Sequence, residues 1–308
     1  MFDYQQISTE KRNKATTNID SLSTINILKV INEEDQKVAL AVKGALPQIE
    51  KVVDNLVNAF KNGGRMIYVG AGTSGRIGAM DASELLPTFS LDPAKAFCLM
   101  AGGKDAFYKA IEGAEDNAQQ AVADLKNVAL TKNDFVIGLS ASGNATYVIS
   151  AIEYANSIGC KTACIVTASN SRLAKVALLP IEAIIGEEVI TGSTRLKSAT
   201  AQKMICNMIS TASMVKLGKV YENLMIDVTP TNQKLQARAR NILMTITKCS
   251  LEDANDALSK YKTVKKSLFA LLTKEEDVGA IDYYLNKEDG HIRNAINLYH
   301  KEKGNAND

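Results

Sequence analysis

Tryptophan is absent from this 308-residue chain, proline occurs five times and histidine twice. So little proline argues against a proline-rich linker protein, and the lack of tryptophan removes the usual interfacial anchor of a membrane span. The two histidines, His291 and His300, both lie near the C-terminus, so a Ser-His-Asp triad or a histidine-built metal site would have to reach there. The cysteines Cys98, Cys160, Cys164, Cys206 and Cys249 are odd in number, with no CxxC pair and no metal-ligand spacing. They read as the reduced thiols of a cytoplasmic protein. Charge of one sign is not in excess: 36 Lys and Arg against 34 Asp and Glu leave +2, which disfavours a nucleic-acid or membrane-surface binder. The longest charge-free run, Phe135 to Ile152, falls short of the roughly 20 residues a bilayer needs and is broken by Ser140, Ser142, Gly143 and Asn144. The N-terminus shows no basic segment followed by an apolar one, so no secretory signal is expected. With 46% hydrophobic residues and 23% charged ones, a large core is available and wholesale disorder is excluded.

The first 30 or so residues are polar and read as an extended arm lying on the rest of the protein or on a partner subunit. A helix is expected from near Asn32, which can cap it, with Glu33, Glu34 and Asp35 favourably placed on its first turn. Val38, Val42, Leu46, Ile49, Val53, Leu56 and Phe60 recur at helical spacing, Pro47 kinks or splits the helix, and Gly63-Gly64 ends it. Short apolar runs then alternate with helical stretches: Arg65 to Val69, Ala96 to Met100, Phe135 to Leu139, Thr162 to Thr167 and Ile181 to Ile185. That alternation predicts an α/β fold with a parallel sheet flanked by helices, whose ligands bind beyond the carboxyl ends of the strands. After Gly192 the chain reads as helical. Beyond Cys249 two similar helical units form a small C-terminal module, and Gly304 to Asp308 is expected to be a disordered tail. The expected organisation is an arm at 1–30, a sheet domain at 31–247 and a helical module at 248–308.

Two loops follow the first and third of these runs. Gly70-Ala71-Gly72-Thr73-Ser74-Gly75 matches the G-x-G-x-x-G pattern of dinucleotide sites, but Asp92, which has the spacing of a ribose-binding acid, precedes the second strand. Thr73 and Ser74 instead set hydroxyls beside free backbone N–H groups, which suits a phosphate monoester at a helix N-terminus. Ser140-Ala141-Ser142-Gly143-Asn144 repeats the arrangement, and neither loop carries the lysine of a nucleotide-triphosphate site. With histidine and cysteine set aside, acid–base chemistry falls to carboxylates. Glu84 lies just before Pro87, and Glu112 and Glu115 stand three apart, neighbours if that segment is helical. On pattern alone each of these carboxylates also reads as a solvated surface charge.

The segments Tyr68 to Arg76, Asp81-Ala82-Ser83-Glu84, Pro87-Thr88-Phe89 and Glu112 to Asp116 together resemble the N-acetylmuramic acid 6-phosphate etherases. Thr9 to Asn13, Val189 to Arg195, Asn207 to Thr211 and Leu217 to Met225 extend that resemblance to about residue 245. It implies a sugar isomerase (SIS) domain: a five-stranded parallel sheet between helices in a flavodoxin-like three-layer sandwich, in a homodimeric cytoplasmic enzyme. It also implies a lyase without metal or organic cofactor, which releases D-lactate from its phosphosugar and serves the recycling of cell-wall sugars. By motif, Glu84 would be the acid that protonates departing lactate, Glu115 the base, and Thr73, Ser74, Ser140 and Ser142 the phosphate contacts. Arg195 and Lys197, in the Thr191 to Lys197 run, read either as positive charge for the phosphate or the lactate carboxylate or as surface basic residues. Related proteins commonly place Thr where this chain has Ala145, with Thr146 next, and a Gly near Tyr261. The rival readings are a non-catalytic sugar-phosphate sensor of the same fold, a phosphosugar isomerase and a dinucleotide dehydrogenase.

Overall fold

A computed structural model of the chain describes residues 8–228 and 233–304. By its internal contacts the chain divides into two compact units: residues up to Ser83 with Pro93–Thr211, and Glu84–Asp92 with Ala212 onward.

The first unit is built on a sheet of five parallel strands: β1 (Met66–Gly70), β2 (Ala96–Met100), β3 (Phe135–Leu139), β4 (Lys161–Val166) and β5 (Leu179–Glu182), in the order β2-β1-β3-β4-β5. Every residue of β1 and β3 is buried, as strands covered on both faces must be. Side chains alternate across the sheet. Tyr68 faces α3 (Gly72–Ser83), where its hydroxyl donates to Asp81 at 2.9 Å. Ile67 and Val69 point the other way, into an apolar cluster with α5 (Ala118–Asn127) and α6 (Thr146–Ser157). The expected α/β class and parallel sheet are those observed, and the strands match within a residue except the fifth, which runs Leu179–Glu182 rather than Ile181 to Ile185.

Before the sheet run α1 (Thr24–Gly44) and α2 (Leu46–Lys61). The expected stripe is buried at Val38, Val42, Ile49, Val53 and Leu56. Pro47 sits in the first turn of α2, where its missing N–H costs nothing, so the helix is split rather than kinked. Asn32 does not cap α1. The helix starts eight residues earlier, after Ser23, because Ile27 to Ile31 continue it and the acidic run lies within it. Residues 8–21 form three short 3-10 turns rather than a fully extended arm. The chain continues through α4 (Leu85–Phe89), α7 (Arg172–Val176) and α8 (Lys197–Lys216), within which the division between the units falls.

The second unit is mostly helical: α9 (Gln233–Thr247), α10 (Leu251–Tyr261), α11 (Val264–Thr273), α12 (Val278–Lys287) and α13 (Ile292–Gly304). They share a core around Leu243, Leu268, Phe269 and Ile281, and Ser250 and Asp253 form a reciprocal capping box on α10. The stretch after Gly192 is not helical throughout. Val220–Tyr221 (β6) and Leu224–Met225 (β7) pair as a hairpin whose two-residue turn places Glu222 at φ 52°. Gly304 ends α13, and the rest of the expected tail, 305–308, lies outside the described residues.

Candidate active site

The order β2-β1-β3 makes the gap between β1 and β3 the point where the chain's progress across the sheet reverses, the usual ligand position in such folds. Gly70 pairs with Leu139 in register, so the loops that follow leave the sheet side by side. Gly70 and Gly75 let α3 approach its own strand: a Cβ on Gly70 would lie 2.7 Å from the Gly75 Cα. Thr73 and Ser74 therefore sit in the first turn of α3, just beyond the carboxyl end of β1. The second loop is folded on itself. Ser140 Oγ accepts from Gly143 N at 3.1 Å and Ser142 Oγ accepts from Asn144 N at 3.3 Å. Gly143 has φ 67°, and a Cβ there would fall 2.3 Å from the Ser171 Cβ, so no other residue fits. Then α6 begins with Ala145 at its cap position and no side-chain cap, which leaves its first-turn N–H groups for another acceptor.

These elements enclose a cavity of about 300 Å³ lined by Thr73, Ser74, Ser140, Ser142 and Glu115. Five of the six expected site residues thus come together in one unit. Ala145 also lines the cavity, while Thr146 is not in its lining. Among the described residues no lysine or arginine lines it, so an anion there would be held by hydroxyls and by the N-terminal ends of α3 and α6. Ser74 donates to Gln202 Oε1 of α8 at 2.8 Å, and Gln202 Nε2 is buried without a partner. Turning that amide over would make Ser74 the acceptor and free its proton for a ligand. Glu84 stands outside this lining, exposed, directly after Ser83 and before α4.

A second cavity of about 320 Å³ shares Ala71, Gly72 and Glu115 with the first and adds Arg76, Lys109 and Glu112. Glu112 and Glu115 are not helix neighbours: Gly113 at φ 71° separates Glu112 from the 3-10 turn Ala114–Asp116 that carries Glu115. Lys197 is not a surface cation either. It is 1% exposed and its Nζ lies 2.7 Å from Glu34 Oε2 of α1. Burial pushes the Glu34 carboxyl up, but the hydrogen bonds from Lys197 and Lys37 outweigh it and hold the group below the ordinary range. Arg195 is exposed. Among the described residues, no group of three or more His, Cys, Asp or Glu side chains could hold a metal ion, and no helix is long and apolar enough to cross a membrane.

The glucokinase regulatory protein N-terminal SIS domain matches residues 48–156, and the SIS domain matches residues 117–212. The N-acetylmuramic acid 6-phosphate etherase of Lactobacillus acidophilus is 46% identical over 96% of this chain and 99% of its own. That of Clostridium botulinum is 49% identical over 94% of this chain and 96% of its own. This chain belongs to the N-acetylmuramic acid 6-phosphate etherase family. Among solved structures, a phosphoheptose isomerase from Francisella tularensis overlaps 62% of this chain and all of its own, at 17% identity and TM-score 0.47.

Two further segments of this etherase-family chain contribute residues that sequence reasoning did not assign. Glu10, Gly192 and Thr194 line the first cavity. Gly192 N donates to Thr9 O at 3.1 Å and Thr16 Oγ donates to Val189 O at 2.8 Å, so the arm is tied to the Val189–Arg195 loop. The Glu188 carboxylate, fully buried, accepts from the N–H groups of Lys197 and Ser198 and so fixes that loop to the start of α8. The only signal for Glu10 was its place in the etherase-like segment Thr9 to Asn13. Asp81 explains a third motif. It accepts from Tyr68, from Asn207 at 2.6 Å and from Ser210 at 3.0 Å, holding the end of α3 against α8. Burial raises its pKa, against the lowering effect of these three donors.

Proposed function

We propose that this chain cleaves the D-lactyl ether of N-acetylmuramic acid 6-phosphate with water, giving N-acetylglucosamine 6-phosphate and D-lactate. An ether oxygen is a poor leaving group, and displacement at a crowded ring carbon is slow. Opening the sugar ring exposes an aldehyde that acidifies the C2 proton. Glu115 takes that proton, the C3–O bond breaks, and Glu84 supplies the proton with which lactate departs. Water then adds at C3 of the unsaturated aldehyde, and the ring closes. No electrons are gained or lost overall, so the steps call for no redox carrier. Thr73, Ser74, Ser140 and Ser142 hold the phosphate, aided by the two helix N-termini.

The observation that carries this reading is the single cavity joining both hydroxyl loops to Glu115 in a chain of this family. Release of D-lactate from N-acetylmuramic acid 6-phosphate tests it. A sugar-phosphate sensor would bind the compound without releasing lactate, and a phosphosugar isomerase would interconvert aldose and ketose only.

The same reading makes residues 31–247 the phosphosugar-binding domain, with the arm at 1–30 and the helical module at 248–308 as additions. It places the enzyme in the cytoplasm as a homodimer, in cell-wall sugar recycling. Ile25, Leu28 and Leu40 of α1 are 59%, 56% and 70% exposed, apolar surface that a second subunit would cover.

A further inference from the structure

We propose that the cavity carrying Arg76 is the subsite for the lactyl carboxylate, so that the substrate lies across Glu115 with its phosphate in one cavity and its lactyl group in the other. This inference rests on the ether-cleaving reaction proposed above.

The argument begins with charge. The first cavity has two acidic residues, Glu10 and Glu115, and no cation. A phosphate there relies on neutral donors, and a second carboxylate from the ligand would be repelled. The adjoining cavity is the one with cations, Arg76 and Lys109, beside Glu112 and Glu115. Arg76 is half-buried at the start of the second turn of α3. Its Nε donates to Phe107 O at 3.0 Å, and its Nη2 donates to Ala106 O at 2.7 Å and Lys109 O at 3.4 Å. All three acceptors are neutral carbonyls. They orient the guanidinium without cancelling its charge, and no described carboxylate pairs with it. Its Nη1 is not used in these bonds. Lys109 is more weakly placed, 3.5 Å from Asp105 with both side chains largely exposed.

The order of groups fits the substrate. In the sugar, C6 bears the phosphate, C2 bears the proton to be removed, and C3 bears the lactyl ether. C2 and C3 are adjacent, so a base acting at C2 stands beside the root of the lactyl group, while the phosphate lies at the opposite end of the carbon chain. Glu115 lines both cavities, the hydroxyl loops line one and Arg76 the other, so a base reaching C2 borders the space that a lactyl group on the neighbouring C3 would occupy. Both ends of the ligand are anionic, and the two cavities recognise them by different chemistry, which fixes the direction in which the substrate enters.

The test compares two ligands on the variants Arg76→Lys and Arg76→Gln, with Lys109→Ala as a further variant. N-acetylmuramic acid 6-phosphate bears the lactyl group and N-acetylglucosamine 6-phosphate lacks it. A charge-assisted contact held in both ground and transition states should appear in KM. KM for the lactyl-bearing compound is expected to rise about tenfold to a hundredfold in Arg76→Gln, with partial recovery in Arg76→Lys. Lys109→Ala should cost a few-fold at most, as exposed charges do. Affinity for the compound lacking the lactyl group should stay within about twofold throughout. Equal losses for both ligands would mean that Arg76 only holds the 104–109 segment, and an unchanged KM would mean that it touches nothing; either result overturns the proposal. A wild-type protein that releases no D-lactate would instead defeat the reaction on which the proposal rests, and the proposal with it.

Discussion

The two cavities that meet at Glu115 are similar in size and opposite in chemistry. One is lined by hydroxyls and helix N-termini with acidic residues beside them, and the other is furnished with Arg76 and Lys109. The first resembles a neutral cradle, in which backbone dipoles and O–H groups do the work that lysine does in nucleotide-triphosphate sites. Such a cradle can hold a phosphate without a lysine or arginine of its own. In the second cavity the positive charge sits on a guanidinium anchored by carbonyls. On the reading proposed above, that difference lets one pocket system bind two anionic groups by different chemistry while Glu115 acts as the base.

Four experiments break or sharpen this contrast. The largest effect is expected at the carboxylates: Glu115→Ala or Glu84→Ala should lower D-lactate release about 100- to 10,000-fold while leaving the circular dichroism spectrum and melting curve unchanged. Normal release by either variant would remove that residue from the chemistry. Next comes Gly143→Ala, which forces a left-handed conformation and a Cβ 2.3 Å from Ser171. A cost of about 2–5 kcal/mol is expected from strain and overpacking, seen as a lower melting temperature together with weaker binding of inorganic phosphate. Ser140→Ala removes one donor from the neutral cradle and the acceptor used by Gly143 N, so KM should rise about tenfold with kcat little changed. A fall in kcat at constant KM would place Ser140 at the reacting carbons instead. The smallest effect belongs to Glu10→Gln. Removing an exposed negative charge from the first cavity should tighten inorganic phosphate two- to fivefold, an effect that fades with added salt. Weaker phosphate binding in this variant would show that Glu10 supports the cradle rather than opposing it.

The sheet was readable because its strands are continuous apolar runs bounded by glycine and serine, a pattern set by burial on both faces. The hydroxyl loops were readable for a related reason: their glycines are imposed by close backbone approaches at Gly70 and Gly75 and by a left-handed conformation against the Ser171 side chain at Gly143. Pairings distant in sequence were not. Lys197 reads as a surface base because nothing near it in the chain announces Glu34, which comes from α1 on the far side of the sequence. Glu10 was unassigned for the same reason, since its cavity is assembled from five separate segments. Glu112 and Glu115 were read at helical spacing, but Gly113 breaks the segment there and turns both carboxylates toward one cavity. The hairpin β6–β7 has two residues per strand, too few for an alternation to register. The early start of α1 was hidden by an acidic run that looks like a first turn but lies in the helix interior.

The most direct test of the central claim, that Glu115 removes the C2 proton before the ether breaks, is to run the reaction in deuterium oxide and examine the sugar product by NMR. Glu115 is exposed, so a proton it accepts exchanges with solvent. The account predicts N-acetylglucosamine 6-phosphate with deuterium at C2; a product that keeps its original hydrogen there while D-lactate is released would contradict it.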